Sequence, residues 1–344
     1  MEALLKPLLD AKRPFVFYKK SDSDKLFSLI QNDSKHYTTN TFLESGFIVS
    51  PFDTSHRKNL LFPLSKCNYQ VYDLSGVEKI ARSHTTVPIS SNDEQSYSEL
   101  VRETVEYIQV GKANKIVLSR VLEHPFNDLN VGALFENLIQ SYPNAFVNIW
   151  YHPQVGLWLG ATPERLLYLK GDEFYTMSLA GTQTFTDSIT WRPKEIEEQK
   201  WVTDFIVDQL LPLVEDLTIS KPKTIQSGHL AHIQTDIKAQ IASAFGIKNL
   251  LRVLHPTPAV CGTPRNTARD FIVENEGYDR LYYTGYLGEL NMASETNLFV
   301  NLRCLQLFDS YAKIYVGGGI TKDSNPLEEW EETENKAKIL RQFF

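Results

Sequence analysis

The segment Tyr315-Val-Gly-Gly-Gly-Ile-Thr-Lys-Asp-Ser-Asn-Pro-Leu-Glu-Glu-Trp-Glu-Glu-Thr-Glu-Asn-Lys336 constrains the fold of this chain more than any other. A glycine run leaves a strand and within a few residues enters a helix whose first turns are crowded with carboxylates. Asn325 is placed to act as N-cap, Pro326 takes the first helical position, and Glu328 stands where a capping box wants an acid. Trp330, Ala337, Leu340 and Phe344 then fall on one stripe, so the helix is amphipathic and packs on a core. Glu329, Glu332 and Lys336 run beside that stripe at spacings of three and four. Two readings follow. The bland one is a solvated flank with an i,i+4 Glu-Lys pair. The sharper one has Glu332 and Lys336 looking into a cleft floored by the glycines, one binding a cation and the other an anion.

The 344 residues suffice for one large domain or two, and 42% hydrophobic with 22% charged residues is ordinary globular composition. A net charge of -7 without a Lys/Arg cluster argues against a nucleic-acid surface. No stretch has the length of a signal peptide's apolar core or of a membrane span, so no membrane association is expected. Cys67, Cys261 and Cys304 frame neither disulfides nor a zinc site, which reads as a reduced, cytoplasmic protein.

Residues 1 to about 90 carry short apolar patches, Phe15-Val-Phe-Tyr and Phe47-Ile-Val among them, and read as strands of a supporting region. Helical spacing begins near Ser91 and stops at Gly111. In the strand that follows, alternation places Lys115, Val117 and Ser119 on one face. A lysine there is either an edge charge or, pointed into a dry cavity, a usable base. Phe146 to His152 and Val155 to Leu159 continue as strands up to Gly160-Ala-Thr-Pro-Glu-Arg165. Leu166 to Lys170 and Glu173 to Leu179 flank Gly171-Asp172 as a hairpin, which runs into the small-residue stretch Ser178-Leu-Ala-Gly-Thr182.

Pro193 to Val214 reads as a long helix with Val202, Phe205, Ile206, Leu210 and Val214 inward. Extending that stripe backwards reaches Glu198 and Glu195, two acids on a buried face. Buried carboxylates need neutralising, by a hard divalent cation or by a basic partner such as Arg192 or Lys200. His229 and His232 are spaced poorly for zinc. A proline-punctuated loop, Leu254-His-Pro-Thr-Pro-Ala-Val-Cys-Gly-Thr-Pro-Arg265, precedes strands at Arg280 to Gly285 and Asn297 to Leu307. Arg303 interrupts the latter, where it pairs with an acid or recognises an anion. Strands spread along the whole chain favour a single α+β domain.

Taken together, these segments resemble the chorismate-utilising enzymes, a family holding isochorismate, salicylate, anthranilate and aminodeoxychorismate synthases. The resemblance covers roughly residues 95 to 344. It rests on Lys115-Ile-Val-Leu-Ser-Arg, Gly160-Ala-Thr-Pro-Glu, Leu179-Ala-Gly-Thr, Glu195-x-x-Glu198, Leu254-His-Pro-Thr-Pro-Ala-Val, Tyr283-Thr-Gly, Asn301-Leu-Arg303, and Gly317-Gly-Gly-Ile followed by Glu329-Trp-Glu-Glu332-Thr and Lys336. Each motif alone is weak; all of them in the family's order are specific. The resemblance implies one α+β domain of two large antiparallel sheets in a sandwich with helices outside, residues 1–90 being its variable amino-terminal part and 91–344 the chorismate-binding catalytic region.

It also implies a Mg²⁺-dependent reaction on chorismate. Glu198 and Glu332 match the metal ligands, with Glu195 and Glu329 as outer or water-mediated ones. The cation holds the ring carboxylate near Lys336, Gly181 and Thr182. Arg303, Tyr283 and the amides of Gly317 to Gly319 match positions that grip the enolpyruvyl carboxylate, and His255 lies in the loop lining the ring. The ammonia-using branches usually carry glutamine at position 115. Lys115 therefore resembles the water-activating branch, a general base for water attacking C2, with Glu164 as the acid that protonates the departing C4 hydroxyl. That role requires Glu164 to be protonated, hence raised by burial. Ala180 also differs from the lysine common in aminodeoxychorismate synthases. Gln199 replaces a frequent histidine and Cys261 a small residue, and Gln199 would alter the orientation of the metal carboxylate.

The expectation is isochorismate synthase, feeding menaquinone or siderophore biosynthesis, a monomer without an amidotransferase subunit. The alternatives are salicylate synthase, an anthranilate synthase component I-like enzyme, and a non-catalytic chorismate-binding protein.

Overall fold

The computed structural model describes residues 1–21, 23–74, 91–186, 188–227, 230–241 and 246–344. His229 and the segment against which the boundary near residue 90 was placed lie outside the described residues. In chain order the elements are α1 (Glu2–Asp10), β1 (Phe15–Lys19), β2 (Lys25–Gln31), β3 (Tyr37–Thr39), β4 (Gly46–Ser50), β5 (Asn59–Pro63), β6 (Cys67–Asp73), α2 (Ser91–Gln109), β7 (Lys115–Pro125), α3 (Val131–Ser141), β8 (Phe146–His152), β9 (Gly156–Thr162), β10 (Arg165–Lys170) and β11 (Glu173–Thr184). They continue with α4 (Pro193–Leu210), β12 (Val214–Ile219), β13 (Lys223–Ser227), β14 (Leu230–Ile241), α5 (Ile247–Leu254), β15 (Gly262–Thr263), α6 (Arg265–Asn275), β16 (Tyr286–Met292), β17 (Glu295–Val300), β18 (Cys304–Leu307), β19 (Tyr311–Ile320) and α7 (Pro326–Arg341).

The strands form two antiparallel sheets, one ordered β15-β7-β19-β18-β9-β8-β1-β2-β6, the other β12-β14-β11-β10-β17-β16-β4-β5-β3 with β13 beside β14. Strand β1 shows why they stack. Phe15 and Phe17 turn outward into a core with α1 and α3, while Val16 and Tyr18 turn inward into a core shared with β4, β5, β16 and β17 of the other sheet. The expected sandwich is therefore the fold. Its middle layer is aromatic: Trp150 and Trp158 stack with centroids 5.7 Å apart, and Tyr282 meets both edge-on.

Helices cover the outer faces. The first sheet carries α1, α3 and the end of α7, the second carries α4 and α5. Helices α2 and α6 join Trp330 of α7 in a fourth core over Ile116, Leu118 and Ile320. The first 74 residues complete both sheets, β1 lying between β2 and β8 and β4 between β5 and β16. Among the described residues no helix is long and apolar enough to cross a membrane. The three cysteines are free thiols.

Three local expectations are corrected. The helix from Pro193 stops at Leu210 rather than Val214, and Val214 opens β12, because Pro212 cannot continue a helix and restricts the residue before it. Arg280 to Gly285 is a turn rather than a strand, with Leu281 and Thr284 in left-handed conformation at φ 54° and 59°. The run from Asn297 to Leu307 is two strands, since the chain crosses between sheets at residues 301–303, where Arg303 takes φ 48°.

A fully buried ion pair pins this region. Arg280 Nη2 lies 2.5 Å from Glu276 Oε1 and also donates to the Val117 carbonyl at 2.7 Å, while Glu276 accepts from the Ser119 amide at 2.7 Å. Removing one partner strands the other's charge in the core, so Glu276→Ala is expected to cost about 3–5 kcal/mol in urea unfolding. The Glu276→Gln/Arg280→Met double variant should lose less than the two single losses added.

Candidate active site

The glycine run lies inside β19 rather than after it, paired along its length with β7: Gly317 opposite Ser119, Gly318 opposite Leu118, Gly319 opposite Val117. Bare backbone is needed there. A Cβ on Gly317 would stand 2.5 Å from the Leu118 carbonyl, and one on Gly319 would stand 2.7 Å from Lys115 Cε. The Lys115 stem thus crosses Gly319, and its ammonium, only 3% exposed, reaches within 3.7 Å of Glu198 Oε2. Of the two readings of Lys115, the cavity is the one realised, since Lys115, Val117 and the three glycines line a single pocket.

Helices α4 and α7 bring the acids to this floor. Asn325 caps α7 as expected, its Oδ1 accepting from the amides of Leu327 and Glu328. Trp330, Ala337 and Leu340 are buried, leaving Glu332 and Lys336 toward the cavity. The i,i+4 pair and the cleft coexist: Lys336 Nζ lies 2.6 Å from Glu332 Oε1 and donates to the Gly317 carbonyl at 2.9 Å. Lys336, Lys194 and Lys115 together hold Glu332 below the usual carboxylate range against the opposing effect of burial. Glu329, buried beside Glu332, is pushed up by desolvation and by that neighbouring charge, although Lys194 lies 2.9 Å from its Oε1. Glu195 is buried and fully engaged by Arg192, which donates through Nε at 2.8 Å and Nη2 at 2.5 Å to Oε1 and through its amide to Oε2. Lys200 pairs instead with Asp204. Gln199 turns away from the acids, into the hydroxyls of Ser178, Thr203 and Thr235 at 2.7–3.0 Å.

Glu164 lines the same pocket and is the carboxylate left outside this pairing. Burial pushes it to about 8, with Lys115 and Arg303 only partly opposing that shift. It is therefore protonated at neutral pH, as the acid role required.

At the pocket's other wall Arg303 donates from Nη2 to His232 Nε2 at 2.6 Å, and His232 Nδ1 meets the Gly181 carbonyl at 3.0 Å. The imidazole is held neutral, pushed down to about 3 by burial and by the Arg303 charge, so Nδ1–H donates and Nε2 accepts. Gly181, at φ 68°, has Glu195 Cβ only 3.1 Å from where its own Cβ would be, and Thr182 follows it on the wall. Tyr283 lines the pocket between Gly317 and Tyr315, on which it stacks at 5.5 Å. His255 does not line the pocket. Its Nε2 lies 2.8 Å from the Thr284 carbonyl, behind the wall, and burial pushes it down to about 4.

Sequence reasoning passed over Lys194, which sits one residue before Glu195 and lines the pocket half-buried, and over His232 as the partner of Arg303. No local pattern marks either, because each partner comes from a distant element.

The donor set suits a hard cation. Glu198 Oε2 lies 3.7 Å from the Cβ position of Gly319, and Glu329 Oε2 and Glu332 Oε1 lie 3.3 and 3.7 Å from that of Gly318. Glu329 Oε2 is buried without a hydrogen-bond partner. Among the described residues no three His, Cys, Asp or Glu side chains already stand in ligating arrangement, so carboxylates now held by Lys115, Lys194 and Lys336 have to turn to take an ion.

Comparison with known proteins identifies the family. The family described as "Chorismate binding enzyme" matches residues 66–344. The salicylate biosynthesis isochorismate synthase of Pseudomonas aeruginosa is 31% identical over 268 residues, 74% of this chain and 55% of that protein. Isochorismate synthase EntC of Escherichia coli is 26% identical over 313 residues, 86% of this chain and 79% of that protein. The chain thus spans little more than half of the first relative and about four fifths of the second. Among solved structures, the menaquinone-specific isochorismate synthase MenF of Escherichia coli superposes with a TM-score of 0.81 at 22% identity, covering 96% of this chain and 88% of that one. A 2,3-dihydroxybenzoate-specific isochorismate synthase, DhbC of Bacillus anthracis, described as putative, gives 0.79 at 23% identity over 99% of both. A match over residues 66–344 with all eight motifs in order settles the family: this chain belongs to the chorismate-binding enzymes.

Proposed function

We propose that this protein is an isochorismate synthase, converting chorismate to isochorismate with Mg²⁺. The observation that carries this reading is that one pocket holds both the Lys115 side chain and a carboxyl group, that of Glu164, raised to about 8 by burial. The relatives are named for salicylate, menaquinone and 2,3-dihydroxybenzoate routes, and each is named an isochorismate synthase.

Arg303, held by His232, offers a guanidinium fork to the enolpyruvyl carboxylate, and Tyr283 and the glycine strand close that end. In its deprotonated form, Lys115 takes a proton from the water that bonds to C2 and becomes the ammonium. The ring double bonds shift, and the C4 oxygen leaves with the proton of Glu164 as water. Glu198 and Glu332, with Glu329 beside them and Glu195 kept outside by Arg192, would hold the ion. Bound there, Mg²⁺ neutralises the ring carboxylate and takes up the Glu198 charge that otherwise faces Lys115.

Chromatography after incubation with chorismate and Mg²⁺ should give isochorismate without pyruvate and no turnover in EDTA. Salicylate with equimolar pyruvate would assign the chain to the salicylate synthases instead. Lys115→Gln should lower kcat by about 10²- to 10⁴-fold in a folded protein that still binds magnesium. Full activity in that variant would remove Lys115 from the base role.

The Glu164 value sets a pH signature: kcat/KM should fall about tenfold per unit above pH about 8 as the acid ionises. Stability carries the same sign. Between pH about 4.5 and about 8 the unfolded chain releases this proton and the folded one keeps it, so stability declines with rising pH. Glu164→Gln should remove that decline, a gain on the order of 4 kcal/mol by pH 8 in denaturant titrations, alongside loss of turnover.

A further inference from the structure

Two buried polar atoms converge behind the glycine strand without hydrogen-bond partners among the described residues, Tyr97 Oη and Glu329 Oε2. Both approach the same point, lying 3.9 and 3.3 Å from the Cβ position of Gly318. Tyr97 stands on α2, 4% exposed, with its ring 6.1 Å from that of Trp330 and the Arg120 guanidinium 5.8 Å from its centroid. Those contacts account for an aromatic ring at this position but not for its hydroxyl. A buried hydroxyl with nothing to bond to is destabilising, and phenylalanine would fill the same space without that cost. The charges nearest the hydroxyl are those of Glu329 and Glu332, which add to burial in keeping the phenol protonated and therefore a donor.

We propose that Tyr97 is a positioning residue of the cation site: the two groups are not bonded to each other in this structure, and when Glu329 turns to take a divalent ion the Tyr97 hydroxyl beside it donates to its carboxylate and fixes it. This rests on the magnesium reading above. Lys194 and Ser324 hold only Oε1 of Glu329, at 2.9 and 2.6 Å, so Oε2 has no other donor to orient it. Outer hydrogen bonds of this kind commonly set the affinity of a metal site, and their loss weakens binding about 10- to 100-fold.

Tyr97→Phe removes one oxygen and keeps the ring contacts. Calorimetric titration of MgCl₂ into the variant should show affinity weakened about tenfold relative to the unsubstituted protein. The thermal midpoint without magnesium should be unchanged or higher, since an unpartnered hydroxyl has been removed. Glu332→Gln, titrated in parallel, should lose affinity at least as strongly. Equal magnesium affinity in Tyr97→Phe and the parent overturns this inference alone. A parent protein that takes up no magnesium overturns the reading of the site and this inference with it.

Discussion

The site depends on three residues having no side chains. Strand β19 presents bare backbone at Gly317, Gly318 and Gly319, and each bare position is occupied by a group from elsewhere: the Tyr283 hydroxyl at Gly317, the Glu329 and Glu332 carboxylates at Gly318, the Lys115 stem at Gly319. Pairing with β7 makes the arrangement rigid, since the strand is hydrogen-bonded up to Ile320 opposite Ile116. A loop of glycines would have been free to move. Within a strand successive positions face opposite sides, so Lys115 and Glu198 approach at Gly319 and the α7 carboxylates at Gly318 from the two sides of a backbone held in place.

Charge is distributed over this floor in pairs. Arg192 faces Glu195, Lys194 faces Glu329, Lys115 faces Glu198 and Lys336 faces Glu332. Each carboxylate has one cation, which is how acids on the inner faces of two helices are tolerated at all. A dication alone or a dianion alone would unbalance the set, whereas the two together leave it neutral, in keeping with the proposed pairing of Mg²⁺ and a dicarboxylate substrate. Glu164 has no such partner, and the difference in environment alone makes it an acid among bases.

Much of this was legible in the sequence where the signal is local. The cap at Asn325, the burial of Trp330, Ala337 and Leu340 on α7, the hairpin around Gly171-Asp172 and the inward register of Glu195 all follow from spacing and turn chemistry, and the structure has them, whereas Glu198 stands half-buried at the edge of that face, lining the pocket. What escaped was set by contacts between distant segments. The glycine run reads from sequence as leaving its strand, and pairing with β7 keeps residues 317–319 inside the ladder. Apolar content argued for one strand through Asn297 to Leu307, although its two ends belong to different sheets. His255 stood in a recognisable motif, yet its ring bonds to Thr284 behind the wall. Motif membership does not tell on which side of a wall a side chain falls.

The break at residues 301–303 shows how structure and site are tied. A chain crossing between packed sheets must leave one ladder before joining the next, and Asn301 holds the crossing by donating from Nδ2 to the Tyr282 carbonyl at 2.9 Å and accepting from the Thr284 amide at 2.9 Å. Arg303 follows in left-handed backbone at φ 48°, a conformation costing roughly 1–2 kcal/mol for a residue with a side chain. Its carbonyl is held by the Ala161 amide at 3.1 Å, and its guanidinium is delivered to His232 in the pocket. Had the strand continued in regular alternation, the side chain at 303 would have stayed on a face of the sheet it was leaving. The crossing turns it into the cavity instead, so the same backbone feature that closes the sandwich also places a guanidinium in the pocket.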